Sequence, residues 1–177
     1  MGILLISVVV TGIAFAGEFK LSSSSIDKVL TDEQVYNGFG CSGKNISPAL
    51  KWSNAPEGTM SYAVTVYDPD APTGSGWWHW LVYNIPANIR ELPEGAGDVS
   101  GNMLPEGAAQ GRTDFGTKAF GGACPPKGDK PHRYIFTVFA LKVAKIDVPA
   151  EATAALIGYM LNANAVGKAS FTATYGR

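Results

Sequence analysis

The alternation of apolar and polar positions predicts four β-strands along the chain. Residues 61–67 carry apolar side chains on both faces of an extended backbone, which predicts a strand buried on two sides. Residues 134–141 are almost wholly apolar, as expected for a central strand of a sheet. Residues 78–85 and 169–175 are two further candidates, so strands dominate the predicted structure.

One segment near the end of the sequence shows helical periodicity. Apolar residues recur there at i, i+3, i+4, i+7, i+8 and i+11, and these are Ala152, Ala155, Leu156, Tyr159, Met160 and Ala163. Glu151 lies at the start, where the helix dipole favours an acidic side chain. We expect this helix to pack its apolar face against the sheet as a late, peripheral element.

Residues 1–16 have the pattern of a secretory signal peptide. The run is apolar, closes on Ala14-Phe15-Ala16, which is an A-x-A cleavage pattern, and precedes the first charged residue, Glu18. It is short for a membrane span, and no Lys or Arg comes before it. We expect cleavage near Ala16, a periplasmic or secreted protein, and no stable membrane insertion afterwards. An uncleaved anchor and a native first strand remain open.

The composition of the chain predicts that residues 17–177 form one globular domain. Of the 177 residues 46% are hydrophobic and 16% charged, so the chain can bury a core and is not disordered. Its 21 glycines and 11 prolines suit strands joined by many turns, which predicts a mainly β fold. The net charge of -1 argues against binding to nucleic acid and against a polybasic membrane-surface protein.

Cys41 and Cys124 are the two cysteines, far apart in sequence and without a C-x-x-C spacing. In an oxidising compartment they can form a disulfide that closes a long loop. Two separate buried thiols are the alternative. Because the first 16 residues indicate export, we expect the disulfide.

Two short clusters concentrate the residues that carry chemistry. In the first, Asp68 and Asp70 follow the strand at i and i+2, so both carboxylates should point the same way, and Trp77 and His79 come soon after. The second cluster combines a glycine- and proline-rich loop with the head of an apolar strand, and it contains Gly122, Ala123, Pro125, His132 and Tyr134. Each cluster holds one of the two histidines of the chain.

This combination is typical of a site for a small anion. The backbone N–H groups of a glycine-rich loop can form a concave nest for phosphate, and a protonated histidine adds positive charge. A neighbouring aspartate can orient the imidazole. The alternative is purely structural: the aspartates cap turns, the tryptophans are core, and the histidines satisfy local carbonyl groups.

Other readings of the motifs are weaker. A calcium loop counted from Asp68 has Pro72 at its fifth and His79 at its twelfth position, so it lacks its key ligands. No H-x-x-x-H or H-E-x-x-H spacing supports a metal, so none is expected. No nucleophile elbow is present either, which leaves a weak hydrolase as a remote hypothesis without catalytic residues or cofactors.

At these two clusters the sequence resembles the phosphatidylethanolamine-binding proteins, in particular their bacterial Raf-kinase-inhibitor-like branch. The matching segments are Asp68-Pro69-Asp70-Ala71-Pro72 with Trp77-Trp78-His79, and Gly122 to Gly128 with His132-Arg133-Tyr134. Segments 45–52 and 110–116 also resemble that branch. The similarity extends from about Phe19 to the end of the chain.

The resemblance implies a fold with a large central β-sheet, a smaller flanking sheet and one or two peripheral helices. It also implies an anion pocket, whose lining would be Asp68, Asp70, Trp77, His79, Gly122, Ala123, Pro125, His132 and Tyr134. Many relatives have a glycine where this chain has Cys124, so a disulfide from Cys41 would tether the pocket loop. No counterpart of the eukaryotic C-terminal helix follows Tyr175, which implies a more open pocket.

We therefore expect an exported protein that binds a small anionic or phosphorylated ligand without catalysis. A second hypothesis is an interaction protein that docks a protease, a kinase or a host protein through its surface. The resemblance is also compatible with a homodimer.

Overall fold

The computed structural model describes residues 17–177, and the predicted signal peptide lies outside them. The chain forms ten strands and one helix in these residues. Their bounds are β1 Lys20–Ser22, β2 Asn37–Gly38, β3 Cys41–Ser42, β4 Leu50–Ser53, β5 Ser61–Asp68, β6 Trp77–Pro86, β7 Glu91–Leu92, β8 Ala109–Gln110, β9 His132–Leu141, α1 Ala154–Asn164 and β10 Ala165–Tyr175.

The strands form one large and two small antiparallel sheets. The large sheet has the order β10-β9-β5-β6-β8, the flanking sheet has the order β1-β4-β7, and β2 pairs with β3. This arrangement confirms the predicted mainly β fold with a large central sheet and a smaller one. The four predicted strands are confirmed as β5, β6, β9 and β10, although each extends further than predicted.

Strand β5 lies at the centre of the molecule, which explains its apolar pattern on both faces. Tyr62 and Val64 point into the core between the large sheet and the flanking sheet, where Trp52 of β4 is also buried. Ala63 points to the opposite face and packs in a second core beneath α1. Because both faces of the sheet are covered, neither side of β5 needs a polar stripe.

The helix buries a different face from the one that its periodicity predicts. It begins at Ala154, with Thr153 as N-cap accepting a hydrogen bond from the Leu156 N–H at 3.2 Å. Ile157 and Leu161 are buried, whereas Leu156 and Tyr159 of the predicted core face are exposed. The helix contains no charged residue, so the sequence offers no strongly polar face to indicate its orientation. No helix of residues 17–177 is both long and apolar enough to cross a membrane.

Cys41 and Cys124 form a disulfide, as predicted. The bond joins the β2–β3 hairpin to the loop that leads into β9, so it connects segments that are far apart in sequence. A parallel bridge between Val35 and Ala123 links the same two regions through the backbone. The loop before β9 is therefore fixed by both a covalent bond and hydrogen bonds.

We predict that replacing both Cys41 and Cys124 with serine lowers the free energy of unfolding by up to about 4.5 kcal/mol, because the link restricts a loop of 83 residues in the unfolded chain. Urea denaturation of the oxidised protein and the double variant measures the difference. Reductant should destabilise the wild-type protein and leave the double variant unchanged. Equal unfolding midpoints for the oxidised protein and the variant would contradict the prediction.

Candidate functional site

The register of the central strands brings the two sequence clusters together. Asp68, the last residue of β5, is paired with Trp77 at the start of β6, and the adjacent Tyr67 is paired with Ile135 of β9. Antiparallel pairing therefore places the end of β5 between the beginnings of its two neighbours. As a result, His79 on β6 and His132 on β9 reach the same end of the sheet.

A cavity of about 170 Å³ opens at this end of the sheet. Its polar side chains are Asp68, Thr73, His79, His132 and Tyr134. Its other lining residues are mostly apolar: Phe39, Ala71, Pro72, Trp77, Phe115, Cys124, Pro125 and Pro126. The cavity thus combines a few convergent polar groups with an apolar wall, which is the usual composition of a site for a small molecule.

A buried aspartate holds the imidazole of His132. The Asp68 carboxylate accepts a hydrogen bond from His132 Nδ1 at 2.8 Å, and both side chains are about 5% exposed or less. The second carboxylate oxygen accepts the backbone N–H groups of Asp70 and Ala71 at 2.8 and 3.1 Å. Because a buried carboxylate needs such partners, Asp68 is fixed in place and in turn fixes the orientation of His132.

His79 is oriented by the loop that passes over it. Its Nδ1 lies 2.6 Å from the carbonyl oxygen of Gly121, and because a carbonyl only accepts, Nδ1 carries the proton. Burial lowers the pKa of His79 to about 4, although the hydrogen bond to Gly121 and the charge of Asp68 oppose this shift. The free imidazole is therefore neutral at pH 7, with Nε2 as a hydrogen-bond acceptor.

Tyr134 brings an unsatisfied hydroxyl group to the site. Its Oη is buried and has no hydrogen-bond partner within residues 17–177. Burial raises the pKa of Tyr134, and the negative charge of Asp68 adds to this effect, so the phenol keeps its proton and remains a donor. A buried hydroxyl without a partner costs about 1–3 kcal/mol, which an acceptor in the cavity would recover.

Three of the predicted site residues do not line the cavity. The Asp70 carboxylate binds the Arg133 guanidinium through two hydrogen bonds of 2.7 and 2.9 Å, and Arg133 lowers the pKa of Asp70 to about 2. The N–H of Gly122 donates to Asn45 Oδ1, and the N–H of Ala123 donates to the Gln34 carbonyl. Neither N–H is therefore available for the predicted anion nest.

The glycines of this loop serve close packing instead. A side chain on Gly122 would collide with the backbone of residues 34–36, and one on Gly121 would collide with the ring of Phe115. Small residues thus allow the loop to lie against its neighbours, which places Phe115 beside His79 with ring centroids 5.3 Å apart. The loop also carries Cys124 and Pro125 to the cavity.

The other six predicted ligand-binding residues do line the cavity: Asp68, Trp77, His79, Pro125, His132 and Tyr134. Sequence reasoning missed Phe39, Phe115 and Thr73 as lining residues. Phe115 lies in a segment with sequence resemblance to the family, which was a usable signal. Phe39 lies in a hairpin remote in sequence from both clusters, and no local pattern indicates its position.

Within the described part of the chain, no three side chains of His, Cys, Asp or Glu converge as a metal centre requires. The histidines each direct Nδ1 to a protein acceptor rather than toward a shared point.

A family model supplies the decisive comparison. The model described as phosphatidylethanolamine-binding protein matches residues 25–176. The chain belongs to the phosphatidylethanolamine-binding protein family. The matched residues include both clusters and every side chain that lines the cavity.

Relatives from Escherichia coli place the chain more narrowly in this family. The UPF0098 protein YbcL is 56% identical over 180 residues, which cover 99% of this chain and 98% of YbcL. The UPF0098 protein YbhB is 52% identical over 147 residues, or 82% of this chain and 91% of YbhB. The crystal structure of YbcL superimposes with a TM-score of 0.89, covering 91% of this chain and 99% of that one at 58% identity.

We predict that His79 makes the fold less stable in acid. The unfolded chain binds a proton below pH 6.5, whereas folded His79 binds one only near pH 4. Stability from this group is therefore complete above pH 6.5 and is lost between pH 6.5 and 4, by about 3 kcal/mol. The variant His79→Asn keeps a donor for the Gly121 carbonyl and cannot titrate.

Chemical denaturation of the wild-type protein and His79→Asn at pH 7, 5.5 and 4 tests this prediction. The wild-type protein should lose more stability than the variant over this range, because all other titratable groups are common to both. An identical pH dependence in the two proteins would contradict the prediction.

Proposed function

We propose that this protein binds a small phosphate-like anion in the cavity at the end of the central sheet, without catalysing a reaction. The observation that carries the proposal is Tyr134, a residue that lines the cavity and whose buried hydroxyl has no partner within residues 17–177. An anion oxygen is the acceptor that this donor lacks. The two histidine rings line the same space.

Charge is supplied in the cavity by protonation of histidine. None of the side chains that line it is Lys or Arg, and His79 is neutral in the free protein. An anion close to the imidazole favours its charged form, so binding raises the pKa of the histidine and couples to uptake of a proton. A protonated His79 then has Nε2–H as a second donor, in addition to the Nδ1–H used by Gly121.

The cavity side chains also support binding without turnover. Cys124 is held in the disulfide, and the Thr73 hydroxyl donates to the carbonyl of Gly76 at 2.5 Å. Neither group is poised beside a histidine as an activated nucleophile would be. The ring of His132 is oriented by Asp68, which serves recognition of an anion as well as it would serve general acid–base chemistry.

Two features support export of the protein. The apolar segment at residues 3–16 with its A-x-A pattern is typical of a secretory signal, and the Cys41–Cys124 disulfide is consistent with an oxidising compartment. We propose that residues 17–177 act in the periplasm or outside the cell.

A second candidate function, docking of a protein partner, is favoured by one observation. The outward face of α1 exposes Leu156 and Tyr159 and carries no charged side chain. Exposed apolar groups of this kind are common at protein interfaces. This candidate requires no ligand in the cavity.

We predict that Tyr134→Phe weakens binding of sulfate about tenfold, because one hydrogen bond to a charged acceptor is lost. The fold should be unaffected or slightly stabilised, since the substitution removes an unpartnered buried hydroxyl. Isothermal titration calorimetry measures the affinity, and Tyr62→Phe is the control because Tyr62 is buried outside the cavity.

In the same samples, NMR signals of the two histidine rings report where the anion binds. Saturable shifts of both rings with sulfate and phosphoethanolamine are expected, and ³¹P signals of the latter should stay those of the intact compound. Silent rings and equal affinity of Tyr134→Phe would contradict an anion site and favour the protein-docking candidate. Release of free phosphate would instead indicate a hydrolase.

We also predict that sulfate binds more tightly as the pH falls. Sulfate stays a dianion across this range, so the dependence reports on the protein alone. Where binding is coupled to the uptake of one proton, the affinity for sulfate should rise by up to about tenfold for each unit by which the pH falls. This range extends from the pKa of His79 in the bound state down to its free value of about 4. Calorimetry between pH 5 and 8 tests this, and His79→Asn should flatten the profile. A profile unchanged by this substitution would remove His79 from the coupling.

A further inference from the structure

The hairpin that connects β2 to β3 has an unusual residue in its turn. Phe39 and Gly40 are the two central residues, and their φ values are +52° and +79°. Two-residue turns with positive φ at both positions strongly favour Asn-Gly, because a bulky side chain is disfavoured in the left-handed region. A phenylalanine at this position departs from that rule, which calls for a reason outside the turn itself.

The side chain of Phe39 gains little from burial, yet it borders the cavity. It is 69% exposed, and it lies against Phe115 with ring centroids 5.9 Å apart and planes inclined by 15°. Phe115 in turn packs edge-on against Trp77 at 5.4 Å. We call these three rings the aromatic wall. It borders the same cavity as the polar groups of His79 and Tyr134.

Two independent contacts hold the Phe39 turn to the loop that carries Cys124 and Pro125. The disulfide connects Cys41, two residues after Phe39, to Cys124. The Arg177 guanidinium donates to the carbonyl of Gly40 at 2.8 Å and to that of Pro125 at 2.6 Å. A turn with an unfavourable residue is thus kept in one position relative to Pro125, which preorganises the rim of the cavity.

We propose that Phe39 is a specificity-determining residue, which selects phosphate monoesters with a flat apolar substituent over phosphate alone. This inference rests on the proposed function. The anion would occupy the polar groups, and the substituent would lie between the aromatic wall and the carbons of Pro125 and Pro126. A flat apolar group can contact both the aromatic rings and the proline carbons favourably, whereas an ammonium group would be attracted by the rings alone.

Titration calorimetry with phenyl phosphate, phosphoethanolamine and inorganic phosphate tests the inference on the oxidised protein. Phenyl phosphate should bind about tenfold more tightly than inorganic phosphate, because its ring becomes buried between the aromatic and the proline carbons. The variant Phe39→Asn places the preferred residue in the turn. It should lose this preference, measured as the ratio of the two affinities, and melt at the same or a higher temperature.

Two further variants separate a role in specificity from a role in structure. Tyr159→Asn is the matched control, since Tyr159 is equally exposed at 69% but does not border the cavity. Arg177→Gln should reduce the preference for phenyl phosphate while leaving the affinity for inorganic phosphate unchanged, because it disrupts the hydrogen bonds that hold the turn to Pro125.

The outcomes distinguish this inference from the proposed function. If phenyl and inorganic phosphate bind with equal affinity, or if Phe39→Asn keeps the preference, the inference is wrong and the anion site stands. If phosphoethanolamine binds more tightly than phenyl phosphate and Phe39→Asn removes this difference, the wall recognises an ammonium group. The inference is then again wrong. If no phosphate compound binds the wild-type protein, both fail together.

Discussion

The hydrogen bond between Asp68 and His132 is the interaction on which the site depends. It joins the end of β5 to the start of β9 at 2.8 Å, with both side chains buried. A buried carboxylate is tolerated only with partners, and Asp68 has three: the imidazole and two backbone N–H groups of the following turn. The hydrogen bond that gives the buried Asp68 carboxylate a partner therefore also fixes the positions of both side chains at the cavity.

The surroundings of this pair determine which chemistry the cavity can support. Most of the lining is apolar, and burial lowers the pKa of His79 to about 4, so the free site carries little positive charge. Electrostatic interactions are stronger in such a setting than in water. In the function that we propose, binding of an anion is therefore coupled to the uptake of a proton.

Membership of the phosphatidylethanolamine-binding protein family accounts for the scaffold but leaves the ligand open, because related folds carry different sites. Several contacts between distant segments lie at the rim of the cavity. A disulfide and the Arg177 guanidinium hold the β2–β3 turn, and Phe39 occupies that turn despite its backbone preference. These features shape the rim of the cavity rather than its polar groups.

Much of the fold and part of the site could be read from sequence, for a physical reason. Strand β5 is apolar on both faces because both faces of the central sheet are covered, so its pattern alone indicated burial on two sides. Asp68, His79, His132 and Tyr134 lie on or at the ends of strands, where local pattern and family resemblance located them. The disulfide followed from two cysteines and a predicted export signal.

The tertiary structure decided which of several possible partners each polar group binds. Asp70 and Asp68 are equivalent in sequence, but Arg133 binds Asp70 outside the cavity and His132 binds Asp68 inside it. The N–H of Gly122 was a candidate donor to an anion until folding brought Asn45 to it. Which face of α1 is buried, and that Phe39 reaches the cavity, follow from contacts between distant segments. Local sequence specifies what a group can do, and only the folded chain determines which partner it meets.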